Sequence, residues 1–138
     1  MIEKIEHNDT IIAIIIKADF RKEGIAFFTP DHFSQQLGYM NRPKGYIIEP
    51  HVHHEVHRHV FRTQEVLFLK RGRVKVDLYG DDRSYINSRI LEKGDVILLA
   101  SGGHGIEVLE QSEIIEVKQG PYSGDRDKER FETSTKIK

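Results

Sequence analysis

The chain has no cysteine, so disulfides and thiolate metal sites are excluded, and any metal it holds must rest on nitrogen and oxygen donors. It has no excess of charge either: the net charge is −1, with 31 % charged residues of both signs spread along its length. That balance lacks the basic stripe of a nucleic-acid binder, and no nucleic-acid partner is expected. Long apolar runs are also missing. The longest, Ile11–Ile16, falls far short of the roughly 18 residues that span a membrane, and it lacks the flanks of a secretory signal. The expectation is a cytoplasmic protein with no membrane partner. A length of 138 residues fits one domain able to bury a core.

Helical periodicity is equally scarce. Turn signals recur at short intervals, and the segments between them alternate at period 2. The β-branched stretch Ile11–Ala18 reads as an early buried strand, with Gly24–Thr29 a short second one. Only Pro30–Gly38 suits a helical turn, with Asp31 as its cap. Gly45–His53 reads as a strand, and His54–Thr63 as a loop. Gln64–Lys70 and Arg73–Tyr79 read as strands joined by a hairpin at Arg71-Gly72. Further strands are expected at Ser84–Leu91, Val96–Leu99, His104–Leu109 and Glu113–Gln119, the last two separated by a turn at Glu110-Gln111-Ser112. About eight short strands with almost no helix predict an all-β sandwich or barrel. The expected core spans about 40–120, and the charged residues of about 123–138 read as a solvated tail.

What the chain has in quantity is histidine: eight in all, five of them between His51 and His59. In a strand, residues two apart share a face, so His51 and His53 project side by side and can bind one ion together. Glu65 opens the next strong strand. His104 follows Gly102-Gly103, where small residues allow a sharp bend into a crowded interior. Three imidazoles and a carboxylate suit one divalent transition metal (Fe, Mn, Ni, Zn, Co or Cu) and leave positions open on an octahedral ion. His57 and His59 repeat the same spacing. They are the alternative ligand pair to His51 and His53, or else loop groups above the metal and the candidate catalytic bases.

The segment Gly45-x5-His51-x-His53, followed by Glu65-x6-Gly72, resembles the first motif of the cupins. Gly94-x5-Ala100-x-Gly102-x-His104 resembles the second. The resemblance covers residues 45–104 and implies a double-stranded β-helix, the jelly-roll barrel, with metal on His51, His53, Glu65 and His104. The eleven residues between His53 and Glu65 exceed the family's usual gap and imply a longer mouth loop. The run Ile115-Glu116-Val117-Lys118-Gln119-Gly120-Pro121-Tyr122, with Asp127-Lys128, is similar to the WbuC-like cupin metalloproteins of surface-polysaccharide biosynthesis. It implies a carbohydrate-derived small molecule as ligand, with Lys118 and Tyr122 as candidate contacts. Three functions follow as expectations: an isomerase, epimerase or lyase acting on a sugar or nucleotide sugar, an Fe(II)-dependent dioxygenase, or a non-catalytic carbohydrate-binding module. The apolar N-terminus, with Ile2, Ile5 and Ile11–Ile16, further predicts a homodimer whose interface lies there.

Overall fold

The computed structural model describes residues 1–132, and within them the chain is all-β apart from one 3-10 turn at Gly124–Arg126. Eight strands form: β1 (Ile2–His7), β2 (Thr10–Ile16), β3 (Gly24–Phe27), β4 (Gly38–Asn41), β5 (Glu65–Tyr79), β6 (Tyr85–Glu92), β7 (Val96–Leu99) and β8 (Gly103–Lys118). Six of them make one antiparallel sheet, in the order β1-β2-β7-β5-β6 with β8 on β5, while β3 and β4 pair separately. Among the described residues no helix is long and apolar enough to cross a membrane.

The isoleucine run is explained by its place in the sheet. β2 lies between β1 and β7 and is covered on both faces, the setting that favours continuous β-branched sequence. Ala13 and Ile15 join Leu67, Leu69, Val76, Leu78 and Ile97 in the main core. Ile14 packs the opposite way with Leu98 and Ala100, under Phe28, Phe33 and Leu37. The apolar surplus expected to draw a second copy to the N-terminus is therefore used within the chain. β1 is polar enough to have gone unread as a strand. It enters through a two-residue turn in which Asn8 and Asp9 both take positive φ (52° and 60°), as a type I′ hairpin requires.

Three sequence expectations are corrected. No helix forms over Pro30–Gly38, only a single turn closed by the Phe33 N–H on the Pro30 carbonyl (3.1 Å); the Gln36 side-chain amide then lies on the Pro30, Asp31 and Phe33 carbonyls (3.0, 3.3 and 2.8 Å). Gly45–His53 is irregular and exposed, because no neighbouring strand offers it a ladder. Finally, Arg71-Gly72 and Glu110-Gln111-Ser112 do not reverse the chain. The two turn signals face each other across β5 and β8, where the register slips by bulges and both strands run on. Gly72 takes φ 97°, and a Cβ there would lie 2.2 Å from Ser112 Oγ, so glycine is what permits this bend.

These bends curl the sheet into a half-barrel. β1 and β6 end the five-strand path, yet Arg89 on β6 grips Glu3 on β1 with two nitrogens (2.7–3.0 Å). That bond holds the Glu3 carboxyl below its ordinary pKa, against partial burial. Arg89→Met is expected to lower stability by about 1 kcal/mol, and by less in 1 M salt, since the pair is only partly buried. Urea midpoints at the two salt concentrations check this.

Part of the expected solvated tail is tied down. Lys118 reaches Asp127 (3.3 Å), Arg83 reaches Glu129 (2.9 Å), and the Phe131 ring meets Tyr79 edge-on at 5.1 Å. Residues 133–138 of that tail lie outside the described residues.

Candidate functional site

β5 and β8 pair along their whole length, with Glu65 opposite Lys118 at one end and Leu78 opposite His104 at the other. A straight strand would separate Glu65 from Leu78 by roughly 43 Å. In fact His104 Nε2 lies 2.7 Å from Glu65 Oε1. The curl therefore brings the two ends of the ribbon together, and the Glu65–His104 contact is its closing point.

Period 2 explains which groups gather there. Glu65 shares its face of β5 with the buried Leu67 and Leu69, and the partners of this face on β8 include Glu116 and Lys118. The Glu65 side chain is only 12 % exposed. Its carboxyl is nonetheless pushed down to about 2, mainly by the hydrogen bond from His104, which outweighs burial; bonding to Glu116 and the charges of His104 and Lys118 add to it. Glu116 is raised for the complementary reason: its hydrogen bond with the Glu65 carboxylate, then burial and like charge, favour its protonated form. Lys118 is raised, first by its bond to Asp127. Asp127 is lowered, first by the hydroxyl of Thr63, which donates to it, and also by Lys118. The result is a polar array in which the largely buried Glu65 carboxylate meets the more exposed His104, Glu116 and Lys118.

The other sequence-predicted residues stand elsewhere. The rings of His51 and His53 meet edge-on at 5.2 Å, and His51 Nδ1 lies 2.8 Å from the Glu49 carbonyl. An acceptor there requires Nδ1–H, so it is Nε2 that the neutral ring would present as a ligand atom. His51 borders a shallow cleft of about 570 Å³ shared with Ile25, Met40 and Tyr46. His59 stacks beside Phe61 (6.5 Å, 12° between planes) and lines a different cleft of about 520 Å³, with Ile11 and Phe33. Phe33 packs on the sheet face opposite the main core, so His59 lies apart from the Glu65–His104 contact. His57 is exposed in the same segment. Lys118 belongs to the array, whereas Tyr122 is 87 % exposed.

The structure thus brings Glu65 to His104 and His51 to His53. Among the described residues no group of three or more histidine, aspartate or glutamate side chains is arranged to hold a metal. Sequence reading gave no site role to Thr63, nor to Glu116 and Asp127, although these two fall in the C-terminal run that carries the second resemblance. For Glu116 a signal existed, since it lies two residues before Lys118 in a segment already read as a strand. Comparison with known protein families, with characterised proteins and with solved structures finds no match.

Proposed function

We propose that this chain is a metal-binding cupin with a jelly-roll barrel, acting on a carbohydrate-derived small molecule. The observation that carries the reading is the contact between Glu65 and His104, 39 positions apart and at opposite ends of a curled ribbon. These residues would supply one oxygen and one nitrogen donor, and His51 and His53 two more imidazoles. The donor chemistry fits a divalent transition ion. The Glu65 carboxylate is ionised far below neutral pH, and the Glu49 carbonyl at His51 Nδ1 directs Nε2 of the neutral ring to the ligand role. Such an ion supplies Lewis acidity toward a carbonyl or hydroxyl oxygen. Beside it Glu116, whose pKa is raised chiefly by its hydrogen bond with Glu65, offers a further carboxyl oxygen to a substrate hydroxyl, and Lys118 can offset negative charge. That array favours a polar, hydroxyl-rich ligand and sugar-modifying chemistry of the isomerase, epimerase or lyase type.

Tag-free protein should hold about one transition ion per chain by elemental analysis. His104→Ala, His51→Ala and His53→Ala should each lower that content at least tenfold, while His57→Ala and His59→Ala should leave it nearly intact. Wild-type protein that takes up none of the six metals would sink the proposal. Loss confined to the His57 and His59 variants would transfer the ligand role to that pair.

A further inference from the structure

The cleft of about 520 Å³ that His59 lines has the volume of a small-molecule site, and the metal-binding reading makes no use of it. Four stretches far apart in sequence wall it: the β1–β2 turn, the loop after Pro30, residues 59–64 and the exit of β7. These walls are fastened to one another. Gln64, only 3 % exposed, accepts from Ser34 Oγ and the Gln35 N–H (3.2 and 3.0 Å) and donates to the Ala100 carbonyl (3.4 Å). Ser101 Oγ donates to the Ile11 carbonyl (2.7 Å). Arg62 grips Asp81 with two nitrogens (3.2 and 3.1 Å), and Asp81 in turn accepts from the Gly102 N–H (3.1 Å). A cleft tied in this way is formed before a ligand enters, so little ordering opposes binding.

The lining selects a chemistry. Ile11, Phe33, Val60 and Phe61 give the cleft an apolar, aromatic surface, and Phe61 is 94 % exposed. The ionised groups beside it do not balance. Arg62 is already matched by Asp81, whereas Glu6 and Asp9, both exposed, have no ion pair among the described residues. His32 and His59 complete the polar lining and in neutral form add no charge. Carboxylates and aromatic ring faces favour the same partner: the former attract a cation by charge, the latter by their negative π faces. We infer that this cleft binds a small organic cation, an ammonium group carried on an apolar or aromatic body. Glu6 and Asp9 take the charge, and Phe33 and Phe61 take the body. The site is separate from the Glu65–His104 contact, because Ile11 and Phe33 pack with Ile14 and Leu98, whereas Glu65 shares its face with Leu67 and Leu69 of the main core. It needs no metal and stands independently of the metal-binding reading.

Phenethylammonium, phenethyl alcohol and phenylpropionate carry the same ring and differ in charge, which makes them the probes. Each is titrated into the full chain with chelator present, so that no metal ion can capture it, and the methyl resonances of Ile11 and Val60 are followed by NMR. The ammonium should bind roughly tenfold tighter than the alcohol, and the anion should fail to bind. Glu6→Gln and Asp9→Asn should each reduce that preference about threefold and together abolish it. Both side chains are exposed, and asparagine tolerates the positive φ of Asp9 (60°), so the variants keep the fold. Phe61→Ala should weaken ammonium and alcohol binding together, since it removes the surface on which the ring rests. Alcohol binding as tight as that of the ammonium, or a cation preference that survives the double variant, would overturn the assignment. So would methyl resonances that none of the three probes moves at millimolar concentration.

Discussion

Asp95→Ala should unfold at a much lower urea concentration than wild type, with a loss of about 3–5 kcal/mol. Asp95 is only 1 % exposed, yet its carboxylate satisfies three donors from two parts of the chain. It accepts from the Glu92 N–H (2.7 Å), from the Ala18 N–H (2.8 Å) and from Lys17 Nζ (2.7 Å). The first bond closes the turn between β6 and β7, and the others fix the exit of β2 against it. The neighbouring backbone is paired in the same place, with Gly94 N–H to the Leu69 carbonyl and Leu69 N–H to the Asp95 carbonyl. Alanine would leave two amides and a half-buried ammonium without their acceptor, and unmet buried donors cost more than a made bond returns. Asp95→Asn keeps one acceptor oxygen and should lose less. A loss below about 1 kcal/mol for alanine would mean that water replaces the carboxylate, contrary to its burial.

The second large effect concerns acid and Glu65. In metal-stripped protein, Glu65→Gln should cost about 2–3 kcal/mol at pH 7, and that difference should vanish toward pH 2. The sign follows from the direction of the shift. The folded carboxyl is pushed from its ordinary 4.5 down to about 2, chiefly by the His104 hydrogen bond. Its contribution is therefore complete above about pH 4.5 and declines as pH falls toward 2, where the folded protein takes up the proton. By about pH 3 more than half of the difference should be gone. Glu116 works in the opposite sense, because its raised pKa makes its contribution greatest at low pH and weakest once it ionises. Glu116→Gln should accordingly be neutral or slightly stabilising at pH 7. Paired urea titrations of wild type and Glu65→Gln from pH 7 to pH 3 decide it, and a difference independent of pH would show that the lost stability is packing rather than charge.

Much of the sheet was legible because alternation survives wherever one face is buried. β5, β6, β7 and β8 all fall on segments that period 2 marks out. What failed was the meaning of punctuation. Gly72 and Ser112 look like hairpin residues one strand at a time, and only their apposition across the ribbon turns two reversals into one bend. The strand expected at Gly45–His53 has suitable alternation, but alternation cannot supply a ladder partner. The candidate site divides along the same line. Nothing in the spacing of Glu65 and His104 requires them to touch, since their meeting depends on how far the sheet curls. Motif resemblance had grouped them, and curvature accounts for their contact. The acid beside them, Glu116, was within reach of simple face-counting from Lys118.

The strand order also sets a timetable for the nascent chain. β2 is flanked by β1, its neighbour in sequence, and by β7, where Ala13 meets Leu99. The isoleucine run is therefore made well before β7, and it can form its local hairpin at once. Its second edge and its core face stay bare until β5, β6 and β7 have followed. Glu3 likewise waits for Arg89. Non-local pairing of this kind slows folding, because loop closure must precede the contacts that reward it. The same six residues that anchor the finished core are then the stretch most open to misassociation during synthesis, so lower growth temperature or an added holdase should raise the recovered yield more than any change at the site would.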